Sequence, residues 1–284
     1  MTPQVVTSAG ELHSITHQWR REGESWALVP TMGALHAGHA ALVEVARSHY
    51  DHVVLSIFVN PLQFGKGEDF DRYPRTLEDD VAYMEGHGVD VVFAPDVAEI
   101  YSGGIDAHPR LTAGPVGDLF EGASRPGHFD GVLTVVHRLC ELVEPHGLVM
   151  GKKDAQQLFL VSSMIRTAGL GIAVHEVDTV REDDGLALSS RNRYLSSSER
   201  EAALAIPRAL QAASRAGNLM DALESARAVL AAESGLRVDY VEMVNPETFL
   251  PIAQESDTGE ALLIVAAWAG TTRLIDNQLL RRGQ

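Results

Sequence analysis

Short apolar segments alternate with helical ones over roughly the first 180 residues, and this alternation is the strongest constraint on the fold. Each apolar segment is hydrophobic at successive positions rather than at every second one, which predicts strands buried on both faces. Helical patterns between strands are typical of parallel sheets covered on both sides. The sequence therefore predicts an α/β fold with a doubly wound parallel sheet. The predicted strands comprise residues 26–30, 52–60, 89–95, 147–151 and 171–181.

The pattern changes near Asp183. The polar segment DDGLALSSRNRYLSSSER precedes two helical stretches, and three short strand-like segments follow with little helix between them. Strands that follow one another in this way are typical of α+β architecture. We therefore predict a larger domain over residues 1–183 and a smaller C-terminal α+β domain over residues 184–284. Helix-capping boxes are predicted at Ser8 with Glu11, Thr76 with Asp79, and Ser198 with Glu201.

Composition argues against several classes of protein. The net charge of −16 is opposite to that of proteins that bind the phosphate backbone of nucleic acids. The longest apolar run, ALLIVAAWA, is much shorter than the roughly 20 residues that span a membrane. The single cysteine, Cys140, lies in an apolar helical stretch, which predicts a buried and unreactive thiol. The N-terminus shows no secretory signal pattern, so we expect a cytoplasmic protein that binds neither nucleic acid nor membrane.

The segment LVPTMGALHAGHAALVEVA places two histidines and two glycines where the first predicted strand leads into a helix. Gly33 and Gly38 allow the backbone to approach a ligand closely or to adopt positive φ. The helix N-terminus directs N–H groups and a partial positive charge at the same turn. His36 and His39 can donate hydrogen bonds to phosphate oxygens, so the turn predicts binding of a nucleoside triphosphate. Two histidines taken alone are more often ordinary surface residues, and the spacing matches neither a zinc-binding HExxH helix nor a Walker A loop.

Seven segments occur in this order across nearly the whole chain: PTMGALHAGH, SIFVNPLQFG, DFDRYPRT, EGASRPGHFDGV, GKKDAQQL, DGLALSSRNRYL and TTRLIDN. Together they resemble the motifs of the pantothenate synthetase family. The HxGH element is similar to the signature of the nucleotidylyl-transferring superfamily that includes class I aminoacyl-tRNA synthetases. The resemblance implies a Rossmann-like fold of the HxGH nucleotidylyl transferase type. It also implies ATP-dependent condensation of (R)-pantoate with β-alanine to pantothenate, through a pantoyl adenylate, with release of pyrophosphate and AMP.

The resemblance also implies roles for individual residues. His39 is the catalytic histidine of the motif, and it acts on the ATP phosphates together with His36, Lys153 and Arg191. Val180 matches a position that contacts adenine through its backbone, and residues 188–191 resemble a KMSKS-type loop that binds pyrophosphate. The implied ATP-binding residues are Met32, Gly33, Ala34, Leu35, His36, Ala37, Gly38, His39, Gly151, Lys152, Lys153, Asp154, Val180, Leu188, Ser189, Ser190 and Arg191.

Two glutamines and two aspartates complete the predicted site. Gln63 is an implied contact of pantoate and β-alanine, and Gln157 is an implied contact of pantoate. ATP chemistry requires Mg²⁺, a cation that prefers oxygen ligands, and Asp79 and Asp80 are the candidate ligands. Lys152 stands where the family usually has glutamate, and the sequence leaves the effect of this exchange open.

Two other functions remain open on the residues alone. One is a nucleotidyltransferase of the same fold, whose product would retain the nucleotide, and the other is a non-catalytic nucleotide-binding module. The expected partners are the small molecules pantoate, β-alanine and ATP, and the resemblance implies a homodimer. The leading hypothesis requires the imidazoles of His36 and His39 and the cations of Lys153 and Arg191 to converge on one polyphosphate.

Overall fold

The chain forms two compact units, each with its own core. The computed structural model describes residues 2–65, 67–68, 70–252 and 259–282, so Asp69 of the DFDRYPRT segment lies outside the described residues. The first unit comprises residues 1–152 and 156–178, and the second comprises residues 153–155 and 179–284. The division proposed above, at residues 183 and 184, concerns independently folding domains and stays a prediction.

A six-stranded parallel sheet forms the centre of the first unit. Four of its strands fall within the predicted apolar segments and a fifth, at 26–31, extends one residue beyond its segment, which confirms the α/β class. The N-terminal strand has no counterpart in the predicted pattern, because three residues are too few to show a periodicity. The strands are β1 (Gln4–Val6), β2 (Trp26–Thr31), β3 (His52–Ile57), β4 (Val91–Phe93), β5 (Gly147–Gly151) and β6 (Ala173–Val177).

The strand order places a topological switch point between β2 and β5. In the order β1-β4-β3-β2-β5-β6, the chain moves from β2 outward to β3 and β4, and it returns to the other side of β2 with β5. Strand β2 pairs with β3 at six positions, but it pairs with β5 only at Ala27 with Gly147 and at Leu28 with Leu148. Strands β2 and β5 therefore lose their pairing before their carboxyl ends, where ligands bind in open α/β sheets.

Helices cover both faces of this sheet, as the strand pattern predicts. Alternate strand residues contribute to two separate apolar clusters, one shared with α1, α7 and α8 and the other with α2 and α3, whose bounds follow. Short 3₁₀ turns also occur at 61–63, 70–72, 105–107 and 152–154. The helices are α1 (Ala9–Glu22), α2 (Ala37–His49), α3 (Leu77–Met84), α4 (Val97–Ile100), α5 (Gly114–Gly117), α6 (Glu121–Ser124), α7 (His128–Val143) and α8 (Ala155–Thr167).

One of the three predicted capping boxes is confirmed, and two are wrong. Ser8 and Glu11 form the predicted reciprocal box at α1. Thr76 precedes α3, but its side chain makes no capping hydrogen bond and donates instead to Asp80.

Ser196, two residues before the predicted position, caps the first helix of the second unit with Glu199. The run of three serines contains two S-x-x-E frames, Ser196 with Glu199 and Ser198 with Glu201, so the local pattern alone cannot select between them.

Helix α7 carries the single cysteine of the chain. Cys140 is 4% exposed and lies in the apolar cluster that α7 forms with the sheet. Burial, with a smaller contribution from the charge of Glu141, raises the pKa of the Cys140 thiol to about 12. The thiol is therefore protonated at neutral pH and unreactive, as the sequence predicts.

The second unit has α+β architecture, as predicted. Its antiparallel sheet has the order β7-β8-β9, and helices pack on it through an Ala- and Leu-rich cluster. The first of the two predicted helical stretches, which is rich in alanine, is two helices, because the ring of Pro207 would clash with the carbonyl of Ala203 in one continuous helix. In the described part of the whole chain, no helix is long and apolar enough to cross a membrane. The elements are α9 (Ser197–Ala203), α10 (Ala205–Arg215), α11 (Leu219–Ala231), β7 (Leu236–Val244), β8 (Gly259–Ala269) and β9 (Thr272–Arg282), with a 3₁₀ turn at 190–194.

Candidate active site

The turn after β2, which comprises residues 32–39 and is called the histidine turn below, is organised by two imidazoles. His36 is the N-cap of α2, and its Nδ1 accepts a hydrogen bond from the backbone N–H of Gly38 at 3.1 Å. Nδ1 of His39 accepts in return from the backbone N–H of His36 at 3.2 Å. A neutral imidazole that accepts at Nδ1 carries its proton at Nε2. The cap therefore sets both rings as Nε2–H donors at the N-terminus of a helix.

Gly38 is required by the way in which the His36 ring folds back over the start of the helix. A Cβ atom at residue 38 would lie 2.8 Å from Cε1 and 3.0 Å from Nδ1 of His36. The centroids of the two imidazole rings are 4.2 Å apart. The spacing H-x-G-H thus has a steric reason: any side chain in place of Gly38 would displace the first histidine from its cap.

Asp80, on α3, holds the backbone of the histidine turn. Its side chain is buried, and its two oxygens accept hydrogen bonds from the backbone N–H of Ala34 at 3.0 Å and of Leu35 at 2.7 Å. Ala34 has a φ of 51°, and Gly33 has a φ of 82°. The left-handed region is unfavourable for alanine, so the carboxylate stabilises a strained turn. Sequence reasoning missed this role, because the contact joins segments about 45 residues apart.

Gln63, which follows β3, lies in a buried polar cluster beside the histidine turn. Its Nε2 donates to Sδ of Met32 at 2.9 Å, and its Oε1 accepts from Nδ2 of Asn60 at 3.3 Å. Asn60 is 1% exposed; its Oδ1 also accepts from the hydroxyl of Tyr101, and its Nδ2 also donates to the carbonyl of Gly131. The structure therefore brings Gln63 together with Met32, as predicted for one site, and it adds Asn60 as the residue that fixes the amide.

The backbone of Gln63 is held from a second direction by the SRPGH segment. Nδ1–H of His128 donates to the carbonyl of Gln63 at 2.8 Å, and Arg125 donates both to this carbonyl and to Nε2 of His128. Burial and then the charge of Arg125 lower the pKa of His128 to about 4. Arg125 also pairs with Glu68 at 2.5 Å. This network anchors Gln63 with a neutral histidine and an ion pair.

The two adjacent glutamines of α8 have different environments. Gln156 is 4% exposed, and its side chain bonds to the backbone of Glu121, Val116 and Leu119. Gln157, the predicted pantoate contact, is half-buried. Gln156 therefore fastens α8 to the α5–α6 segment, and the partly accessible Gln157 keeps its predicted role as a prediction.

The predicted phosphate residues around residue 152 fall on either side of the boundary between the units. Gly151 ends β5, and in the first unit Nζ of Lys152 lies 2.8 Å from Oδ1 of Asp178. Lys153 and Asp154 belong to the second unit, where Nζ of Lys153 lies 3.6 Å from Oδ1 of Asp154. Lys152, which stands where the family usually has glutamate, thus forms an exposed ion pair with Asp178.

A short hairpin over residues 180–188 and the 3₁₀ turn that follows it carry the remaining predicted ATP residues of the second unit. The N–H of Leu188 donates to the carbonyl of Val180 at 2.9 Å, so these two predicted contacts lie opposite each other. Ser189 caps the following 3₁₀ turn by accepting from the N–H of Arg191. Ser190 and Arg191 are half-buried in this turn. Local hydrogen bonds therefore fix the backbone that presents them.

The turn at the tip of this hairpin is held by charged side chains. Arg200 pairs with Glu182 at 2.7 Å and with Asp184 at 2.5 Å. The hydrogen bond from Arg200 lowers the pKa of Glu182, so this carboxylate stays ionised. Asn192 donates to both Glu182 and the carbonyl of Ala187.

Comparison with known protein families matches nearly the whole chain to one family model. The family model for pantoate-beta-alanine ligase matches residues 4–279. The chain belongs to the pantoate–β-alanine ligase family. Its resemblance to pantothenate synthetases, stated above from seven segments, is thereby confirmed.

Relatives and solved structures of the family are similar over nearly the whole chain. The pantothenate synthetase of Acidothermus cellulolyticus is 52% identical over 90% of this chain and 86% of its own length. The crystal structure of pantothenate synthetase from Thermus thermophilus is 47% identical, has a TM-score of 0.89, and covers 97% of this chain and 98% of that one. The pantoate-beta-alanine ligase of Francisella tularensis, solved in complex with beta-gamma ATP and β-alanine, is 32% identical with a TM-score of 0.79, covering 98% and 97%.

The two predicted magnesium ligands, Asp79 and Asp80, have different environments. Both oxygens of Asp80 are engaged by the histidine turn, and Asp79 is exposed on the first turn of α3. No group of three or more His, Cys, Asp or Glu side chains that could hold a metal occurs in the described residues. Asp80 thus fits a structural role, and its predicted role as a metal ligand has no support in this geometry.

Proposed function

We propose that this chain catalyses the ATP-dependent condensation of (R)-pantoate with β-alanine to pantothenate. The observation that carries the proposal is the reciprocal cap between His36 and His39, which orients two Nε2–H donors at a helix N-terminus in a chain of the pantoate–β-alanine ligase family. The names of the relatives, and the ATP and β-alanine bound by the Francisella tularensis protein, support the substrates.

In the first step, a carboxylate oxygen of pantoate attacks the α-phosphorus of ATP. The bond from this phosphorus to the bridging oxygen of pyrophosphate breaks, and pantoyl adenylate and pyrophosphate form. The carboxylate needs no general base, because it is ionised at neutral pH. His39 and His36 donate from Nε2 to the phosphates as negative charge develops, in an orientation fixed before ATP binds. Lys153 and Arg191 act as cationic partners of the phosphates.

In the second step, the amine of β-alanine attacks the acyl carbon of the adenylate. The bond from the acyl carbon to the oxygen of AMP breaks, AMP leaves, and the amine loses a proton as the amide forms. Gln63 and Gln157 bind pantoate, since an amide can serve hydroxyl groups and a carboxylate at once. Asn60 and His128 hold Gln63 in place for both steps.

Mg²⁺ enters this proposal with the phosphates of ATP, which supply the oxygen ligands that the cation prefers. Asp80 contributes by shaping the histidine turn. Asp79 is the accessible carboxylate of the pair, and its role as a ligand stays a proposal.

An AMP-release assay that omits each substrate in turn tests the proposal. AMP should form only when ATP, Mg²⁺, pantoate and β-alanine are all present, and pantoate alone should support exchange of labelled pyrophosphate into ATP. Retention of the nucleotide on the product would indicate a nucleotidyltransferase instead. Absence of both exchange and AMP release would favour a non-catalytic nucleotide-binding module.

The family also leads us to propose a homodimer in the cytoplasm. Sedimentation equilibrium of the purified chain measures the first property, and fractionation of the producing cells measures the second. A monomer at assay concentrations would contradict the proposed dimer.

A further inference from the structure

Two successive residues of β9 hold two of the segments with predicted phosphate contacts. Nδ2 of Asn277 donates to the carbonyl oxygen of Lys153 at 3.0 Å, across 124 residues of sequence. The carboxylate of its neighbour Asp276 pairs with Arg181 through two hydrogen bonds of 2.6 and 3.0 Å. All four residues belong to the second unit. One dipeptide therefore connects the lysine to the hairpin that leads to Arg191.

The Asp276–Arg181 pair is a rigid anchor. Asp276 is 3% exposed, and a buried carboxylate requires a partner of this kind because removal from water is costly. Arg181 also donates to the carbonyl of Gly185 at the tip of the hairpin. A single guanidinium thus connects both ends of the turn at 182–185 to the sheet.

The contact from Asn277 acts on the backbone of Lys153 and leaves its charged end to other partners. Asn277 lies midway along β9 and opposite Ile264 of the central strand β8, so its own backbone is fixed. A hydrogen bond to the carbonyl of Lys153 restricts the positions that its long side chain can reach. Such restriction matters when the ammonium has to meet a phosphate oxygen in one geometry.

We propose that Asn277 is a positioning residue for Lys153 and that the Asp276–Arg181 pair fixes the 180–188 hairpin in the same frame. Strand β9 then sets the predicted phosphate lysine and the predicted pyrophosphate loop relative to each other. The inference rests on the proposed function of Lys153. It also gives a physical reason for the final Asp-Asn of the TTRLIDN segment.

The experiment compares Asn277→Asp with Gln278→Glu in the full chain. Both variants change an amide to a carboxylate on neighbouring residues of β9, but the amide of Gln278 donates locally, to the carbonyl of the adjacent Leu279. Asn277→Asp replaces a donor to the Lys153 carbonyl with an acceptor. We expect it to lower kcat/KM for ATP in pantoate-dependent pyrophosphate exchange by about tenfold. The conversion of preformed pantoyl adenylate with β-alanine, and the whole behaviour of Gln278→Glu, should be unchanged.

A Lys153→Ala background separates the inference from the function on which it rests. If Lys153→Ala keeps full exchange activity, the proposed role of Lys153 fails and the positioning role fails with it. If Lys153→Ala loses exchange while Asn277→Asp does not, only the positioning role is overturned. Equal losses in both half-reactions of Asn277→Asp, with a lower Tm, would also overturn it. Support requires that Asn277→Asp add nothing further once Lys153 is alanine.

Discussion

The histidine turn and the 180–188 hairpin both lead to predicted phosphate contacts, but different forces hold them. In the turn, neutral imidazoles and the buried carboxylate of Asp80 accept hydrogen bonds from backbone N–H groups. In the hairpin, Arg181 and Arg200 pair with carboxylates, and the partners of Arg200 are partly exposed. Hydrogen bonds from the backbone to buried or half-buried groups are screened little by salt, whereas the partly exposed ion pairs of Arg200 are screened more strongly. We therefore expect the histidine turn to be preorganised and the part of the hairpin that Arg200 holds to respond to the salt concentration.

Substitution of His39 should have the largest effect on catalysis. Asparagine at this position keeps an oxygen that can accept from the N–H of His36, but it removes the distal donor. His39→Asn should therefore lower pantoate-dependent pyrophosphate exchange by at least a hundredfold, about 3 kcal/mol of transition-state stabilisation, with little change in Tm. His49→Asn, at the exposed end of the same helix, is the control. Normal exchange by His39→Asn would show that the turn is not the reaction site.

Acid should destabilise the network around Gln63 through His128. The pKa of this imidazole is lowered from 6.5 to about 4 by burial and by Arg125, so the unfolded chain binds the proton more readily. Stability from this group is complete above pH 6.5 and is lost as pH falls towards 4, by about 3 kcal/mol in all. Urea unfolding at several pH values measures the loss. His128→Gln keeps a donor and an acceptor without titrating, and it should lack this part of the slope; an identical slope in both proteins would contradict the assignment.

Asp80→Asn tests how far the histidine turn depends on one carboxylate. The amide can accept with only one of its two atoms, so the N–H of Ala34 or Leu35 loses its acceptor. We expect the free energy of unfolding to fall by about 2 kcal/mol and the KM for ATP to rise. Asp79→Asn carries the same charge change on the exposed neighbour and should leave stability unchanged. If Asp79→Asn proves as destabilising as Asp80→Asn, the role of Asp80 in holding the histidine turn is wrong.

The smallest effect is expected at the hairpin. Arg200→Gln removes the pairs with Glu182 and Asp184, which should cost about 1 kcal/mol at low salt and less at high salt. Hydrogen exchange of residues 182–192 at two salt concentrations measures the change. Arg208→Gln, whose contact with Glu233 is 3.7 Å long and exposed, is the matched control. Salt-independent exchange in the wild type would remove the difference between the two regions.

Sequence reasoning succeeded where the determining interactions are local. The buried strands and the position of the histidine turn follow from neighbouring residues, and Ser8 with Glu11 forms its predicted cap. The family resemblance added the identity of the substrates, which no local pattern contains.

Sequence reasoning failed where the partner lies far away in the chain. Asp80 meets the histidine turn across about 45 residues, and Arg181 meets Asp276 across 95. Only the folded sheet brings such segments together, so the contact between Asp80 and the histidine turn leaves no local pattern in the sequence. Gln156 and Gln157 show the same limit, because two adjacent amides differ only in which of them faces the α5–α6 segment.

The buried thiol of Cys140 can serve as a probe of local unfolding in the first unit. Because this cysteine is the only one in the chain and its pKa is about 12, an alkylating reagent has no reactive sulfur to modify while α7 stays packed. Incorporation of label would then count excursions in which the core around α7 separates, and events confined to the second unit would leave no covalent mark.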